Sequence, residues 1–374
     1  MRAEFLQKHL KTSDDLVNDL EKLRLQYDLP GLTFGQDNGS GFTCQVEGVR
    51  RYGSVPQIET DDIFHLGSLT KAMTATLLAI LMKENAAVSW DSTMNDLFPD
   101  IGTAMHPKHR CTTLQMLTSH RSGIVIDYSG HYEVWHELFS PFLPETQGRQ
   151  RLVELALTHA PAKAPGTFSY ENTNYIIAGA IIDQHANATW EQFIRTHLFN
   201  PLKMNECGFG PNPESSTTSI DNPWPHIVLT ESSFPLPLSL VPLAFRDNPR
   251  PFNPSGRVHC SMQAYNKFLR VHVDGARGID SPVLGLDSHD FEHLHTPYMS
   301  SATDSTRLYT PGGWDWEPLG GHVVLSHEGS NGRNQAIAQL DPHSNTTSMT
   351  MTNLGGTRAD NATRAVMRHF ASAA

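Results

Sequence analysis

The chain has 374 residues, 39% hydrophobic and 18% charged, a balance that suits a globular protein with a sizeable core and excludes a largely disordered one. Its formal net charge of −11, with no basic stripe to offset it, disfavours a general affinity for nucleic acid or for an anionic membrane surface. Four widely spaced cysteines, Cys44, Cys111, Cys207 and Cys260, form no C-x-x-C pair and read as buried thiols rather than a disulfide framework or a zinc site.

In chain order, "MRAEFLQKHLKTSDDLVNDLEKL" alternates charge with leucine and has no apolar core of the signal-peptide kind, which predicts a cytoplasmic protein. The sequons at Asn38, Asn187, Asn345 and Asn361 then carry no meaning. A helix is predicted over Ser13 to Leu25, from the spacing of Leu16, Leu20 and Leu23 behind an acidic start. "LPGLTFGQDNGSGFTCQVEGVRRYG" reads as two strands around an Asp-Asn-Gly-Ser-Gly turn. "FHLGSLTKAMTATLLAILMKE" follows, an almost wholly apolar helix whose run from Ala72 to Met82 is too short to span a bilayer. "TTLQMLTSHRSGI" reads as a helix with Gly123 as its C-cap. From Gln150 to Met204 the pattern is mainly helical. Pro211 to Pro254 then holds 10 of the 24 prolines, an irregular excursion of the sort that covers binding sites. "SGRVHCSMQAYNKFLRVHVDG" reads as a helix capped by Gly275, and "HVVLSHEGSNGRNQAIAQLDPHSNTTSMTMTN" as short strands before a last helix. Strands at both ends and helices between them predict a mixed α and β fold. Residues 1–95 and 255–374 would form a discontinuous α/β unit, 96–254 a mainly helical insert with a proline-rich loop at 211–254, and the cleft would lie between them.

Three short stretches carry chemistry. In "SLTK", Ser68 and Lys71 share a helix face. Ser68 as a simple N-cap and Lys71 as a solvated charge fit poorly, because the dipole disfavours a cation there and a buried helix follows. A lysine so placed has its ammonium form disfavoured and becomes a base for the nearby hydroxyl. In "PGTFSYENTNY", Tyr170 and Asn172 lie two apart and suit a proton relay and a carbonyl-binding amide. In "LSHEGSNG", His327 and Gly329 follow a β-like run, and Gly329 permits close backbone approach, so that the N–H of Ser330 could meet a developing oxyanion.

The boxes "SLTK", "YEN" and "HEG", in this order and with their connecting text, resemble the penicillin-binding-protein and class C β-lactamase superfamily of serine hydrolases, over roughly residues 30 to 355. That resemblance implies an antiparallel sheet flanked by helices, a helical insert, and no cofactor or metal. It implies Ser68 as acylated nucleophile, Lys71 as its partner, and Tyr170 as the group that reprotonates the leaving group. Asn172 would contact the acyl side chain or steady Lys71. The backbone N–H groups of Ser68 and Ser330 would form the oxyanion hole, with His327 and Gly329 lining the opposite wall. His327 stands where β-lactamases commonly carry lysine, which points to esterase and acyltransferase members. Arg333 is a candidate positive charge, Trp314 a candidate cleft wall, and Glu171 either tunes Lys71 or faces solvent.

The expected partner is a small-molecule acyl substrate, and the oligomeric state is not legible. The competing readings are acyl transfer, β-lactam or D-amino-acid peptide cleavage, and a catalytically silent binding protein. The histidines of "SHDFEHLHT" (His289, His293 and His295) lack the carboxylate or cysteine set of a metal site and read as a polar surface segment.

Overall fold

The computed structural model describes residues 13–126, 130–212, 220–230, 232–238, 246–299 and 307–371. The first hairpin forms as expected, from β1 (Gly31–Asp37) and β2 (Phe42–Gly48), paired from Gly31 opposite Gly48 to Asp37 opposite Phe42. Three short strands follow in the chain, β3 (Ile63–His65), β4 (Gly208–Phe209) and β5 (His226–Ile227), and then β6 (Leu236–Pro237) and β7 (Val258–Ser261). The last four are β8 (Asp315–Leu319), β9 (His322–Ser330), β10 (Gln335–Asp341) and β11 (Thr346–Thr352). A six-stranded antiparallel sheet runs in the order β2-β1-β11-β10-β9-β8, so the two ends of the chain meet where β1 pairs with β11.

Alternation along these strands supplies two apolar faces. Leu32, Phe34 and Ile337 face the terminal helices Ser13–Gln26 and Thr357–Phe370, where Phe34 stacks on Phe370 at 4.8 Å. Ala336, Ala338, Met349 and Met351 face the main core, with Phe268 and Leu269 of the Met262–Ala276 helix. The Thr70–Glu84 helix is buried from Thr70 through Leu81, as an element apolar on every side requires. Burying a side chain the size of Leu77 or Leu78 stabilises the fold by about 1.5–3 kcal/mol.

Several expectations change. The helix in "TTLQMLTSHRSGI" covers only Leu114–Thr118, with Thr113 as its N-cap, and Gly123 lies in the loop beyond. In "SGRVHCSMQAYNKFLRVHVDG" the first part is strand β7, Ser261 caps the helix that follows, and Gly275 sits inside it, where a Cβ would strike the Phe291 ring. The sequence predicts four buried thiols, but Cys207 and Cys260 form a disulfide. The pairing of Gly208 with His259, where β4 runs beside β7, brings these two neighbours together. Cys44 is partly buried and Cys111 exposed. The proline-rich excursion contributes the β5–β6 pair, and its stretches 213–219, 231 and 239–245 lie outside the described residues. Among the described residues, no helix is long and apolar enough to cross a membrane.

Candidate active site

The chain enters the site through β3 and a 3-10 turn, Gly67–Leu69, that feeds directly into the Thr70–Glu84 helix. Gly67 has φ +53°, and a Cβ on it would collide with the backbone of Ser330. Glycine is the residue that tolerates both conditions. Leu66 and Leu69 occupy the cap positions and no side-chain cap forms, so Ser68 is not a helix cap. Its hydroxyl is held by Lys71 instead, whose Nζ donates to Ser68 Oγ at 2.9 Å.

Lys71 is wholly buried. Its other acceptors are Asn172 Oδ1 at 2.8 Å and the Ser255 carbonyl at 2.6 Å. All three are uncharged. Burial holds the ammonium well below the ordinary lysine range, and no carboxylate partner offsets it. Nζ also lies over the Tyr170 and Tyr175 rings, at 4.9 and 5.6 Å from their centroids.

Tyr170 and Glu171 lead into the Asn172–His185 helix, so the second box is the start of a buried helix. The Tyr170 phenol is pushed above its usual range by burial, although its hydrogen bond with Ser68 pulls the other way. Asn172 steadies Lys71 and also lines the cavity. Glu171 turns away from the lysine. Its carboxylate accepts from Ser169 Oγ at 3.3 Å, and half-burial raises it.

The third box lies on β9 past the point where β8 stops covering it. Asp315 is the last partner of β8 and lies opposite Ser326. His327 is buried, with Nε2 3.0 Å from the Tyr309 hydroxyl, and burial, Lys71 and Arg307 together depress its protonation. Gly329 passes so close to the Gly67–Leu69 turn that a Cβ would run into the Leu66 carbonyl oxygen. Ser330 Oγ donates to the Asn334 carbonyl at 2.8 Å and accepts from Gly332 N–H at 3.0 Å, so this side chain is spent on the turn beyond the strand.

Ser68, Tyr170, Asn172, His327, Gly329 and Ser330 line one cavity of about 350 Å³, together with Arg307, Asp315, Glu328 and Gln335. Of three larger cavities, those of about 690 and 670 Å³ contain no residue of the three boxes, and one of about 570 Å³ contains only Glu328 of them. Size does not mark the site here; the Ser68 hydroxyl paired with the buried Lys71 amine does.

Two expected contacts are not made. Trp314 is fully buried beside Phe268 and His272, so it belongs to the core and not to the cleft wall. Arg333 donates to the Asn331 carbonyl at 2.8 Å and does not line the cavity. The cation at the cavity is Arg307, whose Nη2 meets Asp315 Oδ2 at 2.6 Å. The histidines of "SHDFEHLHT" diverge, His293 stacking on Trp90 and His295 pairing with His272 at 2.9 Å. Among the described residues, no group of three or more His, Cys, Asp or Glu is placed to hold a metal ion.

His120 is the residue that sequence reading passed over. It adopts φ +56°, and its ring lies tilted against that of Tyr170 with centroids 4.3 Å apart. Its Nδ1 accepts from the Glu171 N–H at 3.1 Å and from Asn174 Nδ2 at 3.1 Å, which fixes the second box against the cleft. Burial, with Lys71 and His327, holds its protonation far below normal.

The Beta-lactamase family model matches residues 11–372 of the sequence. The chain belongs to the Beta-lactamase family. This is a family of serine hydrolases. Penicillin-binding protein 4 of Amycolatopsis lactamdurans is 25% identical over 347 residues, covering 90% of this chain and 84% of that protein. The octameric penicillin-binding protein homologue from Pyrococcus abyssi superposes with a TM-score of 0.72 at 18% identity, over 96% of this chain and 78% of that one. A D-stereospecific amidohydrolase from Streptomyces superposes with a TM-score of 0.71 at 20% identity, over 97% of this chain and all of the other. These two likenesses establish the fold, the β-lactamase/transpeptidase arrangement implied by the three boxes.

Proposed function

We propose that the protein is a serine hydrolase that cleaves an ester or amide of a small molecule through a covalent acyl-enzyme on Ser68. The observation that carries this reading is the Lys71 amine, wholly buried, bound only to uncharged acceptors and 2.9 Å from Ser68 Oγ. An amine biased toward its free form beside a hydroxyl is a base in contact with a nucleophile.

As Ser68 Oγ bonds to the substrate carbonyl carbon, its proton passes to Lys71. The oxyanion is received by the N–H groups of Ser68 and Ser330, which Gly67 and Gly329 allow to approach. Tyr170, held as a phenol, gives a proton to the leaving group as its bond to carbon breaks. The proton on Lys71 then restores the phenol, so that the leaving group gains one proton for the one that Ser68 gives up. Water adds to the acyl-enzyme, its oxygen bonding to carbon and one of its protons returning to Ser68, and the free acid departs.

The charges around the cavity argue against a substrate carboxylate. Arg307 is already paired with Asp315, and Glu328, ion-paired to Arg364, adds a further carboxylate to the same wall. Amides as well as esters fit the site, in keeping with the amidohydrolase among the structural neighbours. In this reading the cleft lies between the 1–95 and 255–374 unit, which supplies Ser68, Lys71 and β9, and the 96–254 unit, which supplies Tyr170 and Asn172. The cytoplasmic placement rests on the N-terminal sequence alone, and the Cys207–Cys260 bond weighs against it, since such bonds persist mainly in oxidising compartments.

Incubation with a fluorophosphonate and with a series of p-nitrophenyl esters, followed by mass spectrometry, tests the proposal. Labelling at Ser68 and loss of turnover in Ser68→Ala are expected. Labelling elsewhere, or full turnover by that variant, would overturn it. Faster release of the acyl group on adding alcohols or amines would identify acyl transfer instead.

A further inference from the structure

Asp247 lies at the C-terminal end of the proline-rich excursion, far in sequence from every box, and is 1% exposed. Four donors converge on its carboxylate. Oδ2 accepts from His65 Nε2 at 2.9 Å and from Arg257 Nε at 3.1 Å. Oδ1 accepts from Asn331 Nδ2 at 3.0 Å and from the Asn248 N–H at 2.8 Å. Burial alone would raise this carboxyl, but His65, Arg257 and the hydrogen bonds from His65 and Asn331 hold it well below the ordinary range.

Two of these donors lead straight to the backbone at the nucleophile. His65 Nδ1 accepts from the Gly67 N–H at 3.0 Å, so Nε2 carries the proton and must donate to Asp247. Gly67 is the residue before Ser68. Asn331 is the residue after Ser330, and its Oδ1 accepts from the Arg333 and Asn334 N–H groups at 3.1 and 2.9 Å, which shapes the turn at the end of β9. One buried carboxylate thus holds the segment before one oxyanion donor and the segment after the other. Its third tie, Arg257, donates to Asn253 Oδ1 at 2.7 Å, two residues before the carbonyl that binds Lys71.

We infer that Asp247 is a positioning residue for the oxyanion-binding pair, setting the separation of the Ser68 and Ser330 N–H groups through His65 and Asn331. The inference rests on the acyl-enzyme reading above. The chemistry requires a carboxylate. Every group facing Asp247 is a donor, so an asparagine there has one oxygen for two sides and must point its NH₂ at His65 and Arg257 or at Asn331.

Asp247→Asn tests this, with His65→Asn as a second variant. The latter keeps an oxygen near the Nδ1 position for the Gly67 N–H, cannot reach Asp247, and leaves the Arg257 pair in place. With p-nitrophenyl acetate, kcat should fall about 10–100-fold in either variant at nearly unchanged KM, because misplaced donors act mainly on the transition state. Affinity for phenylboronic acid, which mimics the tetrahedral adduct, should fall in the same ratio. The double variant should lose little more than the single ones, since both break one linkage. Circular dichroism identifies a variant that does not fold, and His65→Asn then decides the matter. Unchanged kcat and boronate affinity in a folded His65→Asn protein would overturn the role of Asp247. Wild-type protein unlabelled at Ser68 by fluorophosphonate would instead overturn the acyl-enzyme reading beneath it.

Discussion

Lys71 Nζ lies 2.9 Å from Ser68 Oγ and 2.8 Å from Asn172 Oδ1, and no carboxylate is among its hydrogen-bond partners. A buried ammonium in that setting gives up its proton readily. The free amine, the form that can accept the Ser68 proton, therefore persists to lower pH than in an ordinary lysine. The profile of kcat/KM against pH should rise through this depressed pKa and level off well below the usual lysine value of about 10.4. The raised Tyr170 phenol places the alkaline fall above the usual tyrosine range. A profile still climbing at pH 10 would contradict this assignment.

Asn172→Asp puts a carboxylate where a neutral amide oxygen now meets Nζ. The charge should stabilise the ammonium and shift the acid limb of the profile upward by about 1–3 pH units. Lys71→Arg keeps the charge and cannot deprotonate, so turnover should drop by about 10²–10⁴-fold with the fold retained. Rates of p-nitrophenyl ester hydrolysis across pH give both results.

Gly329→Ala drives a Cβ into the Leu66 carbonyl oxygen and must part β9 from the nucleophile turn. A displacement of about 1 Å there should slow acylation about 10²-fold. The rate of fluorophosphonate labelling at Ser68 measures it directly. Labelling at the wild-type rate would show that the two segments need not touch.

Arg149 is fully buried and ties the Glu145–Thr158 helix to the Asn172–His185 helix, with Nε 2.6 Å from Asp183 and Nη1 2.8 Å from Glu191. Arg149→Met leaves two mostly buried carboxylates without their cation. A loss of about 3–5 kcal/mol is expected. Denaturant titration at neutral pH should show it as a lowered midpoint. A change within about 0.5 kcal/mol would mean that solvent already screens the pair.

Alkylation of the denatured, unreduced protein with iodoacetamide should modify Cys44 and Cys111 and spare Cys207 and Cys260 until reductant is added. Mass spectrometry counts the adducts. Four before reduction would restore the reading of four free thiols.

The three boxes were legible because each packs its chemistry into three or four consecutive residues, and Ser68, Lys71, Tyr170, Asn172, His327 and Gly329 do converge on one cavity or its base. Strands at both chain ends were legible in outline from alternation, and their antiparallel sheet only through the resemblance that the boxes carry. What could not be read were contacts made by groups without a signature. Ser255 binds Lys71 through a backbone carbonyl, which any residue possesses. His120 and Tyr309 reach the cleft from loops and look like ordinary aromatics along the chain. Arg307 and Asp315 pair across a loop, whereas Arg333 is the basic residue nearer the third box in sequence. Trp314 shows why a tryptophan near a motif says little: its ring has two directions available, and the core takes it. The Cys207–Cys260 bond depends on strand register, which spacing alone does not reveal.

That bond closes a loop with a sequence separation of 53, and the loop contains the entire proline-rich excursion and Asp247. In the chain-entropy picture such a cross-link removes about 4 kcal/mol of unfolded-chain freedom. The excursion is therefore a covalently closed loop whose two ends lie at the neighbouring strands β4 and β7. His65 and Asn331 both lie outside that loop, so the closure restrains the excursion that carries Asp247 without tying the carboxylate to either partner.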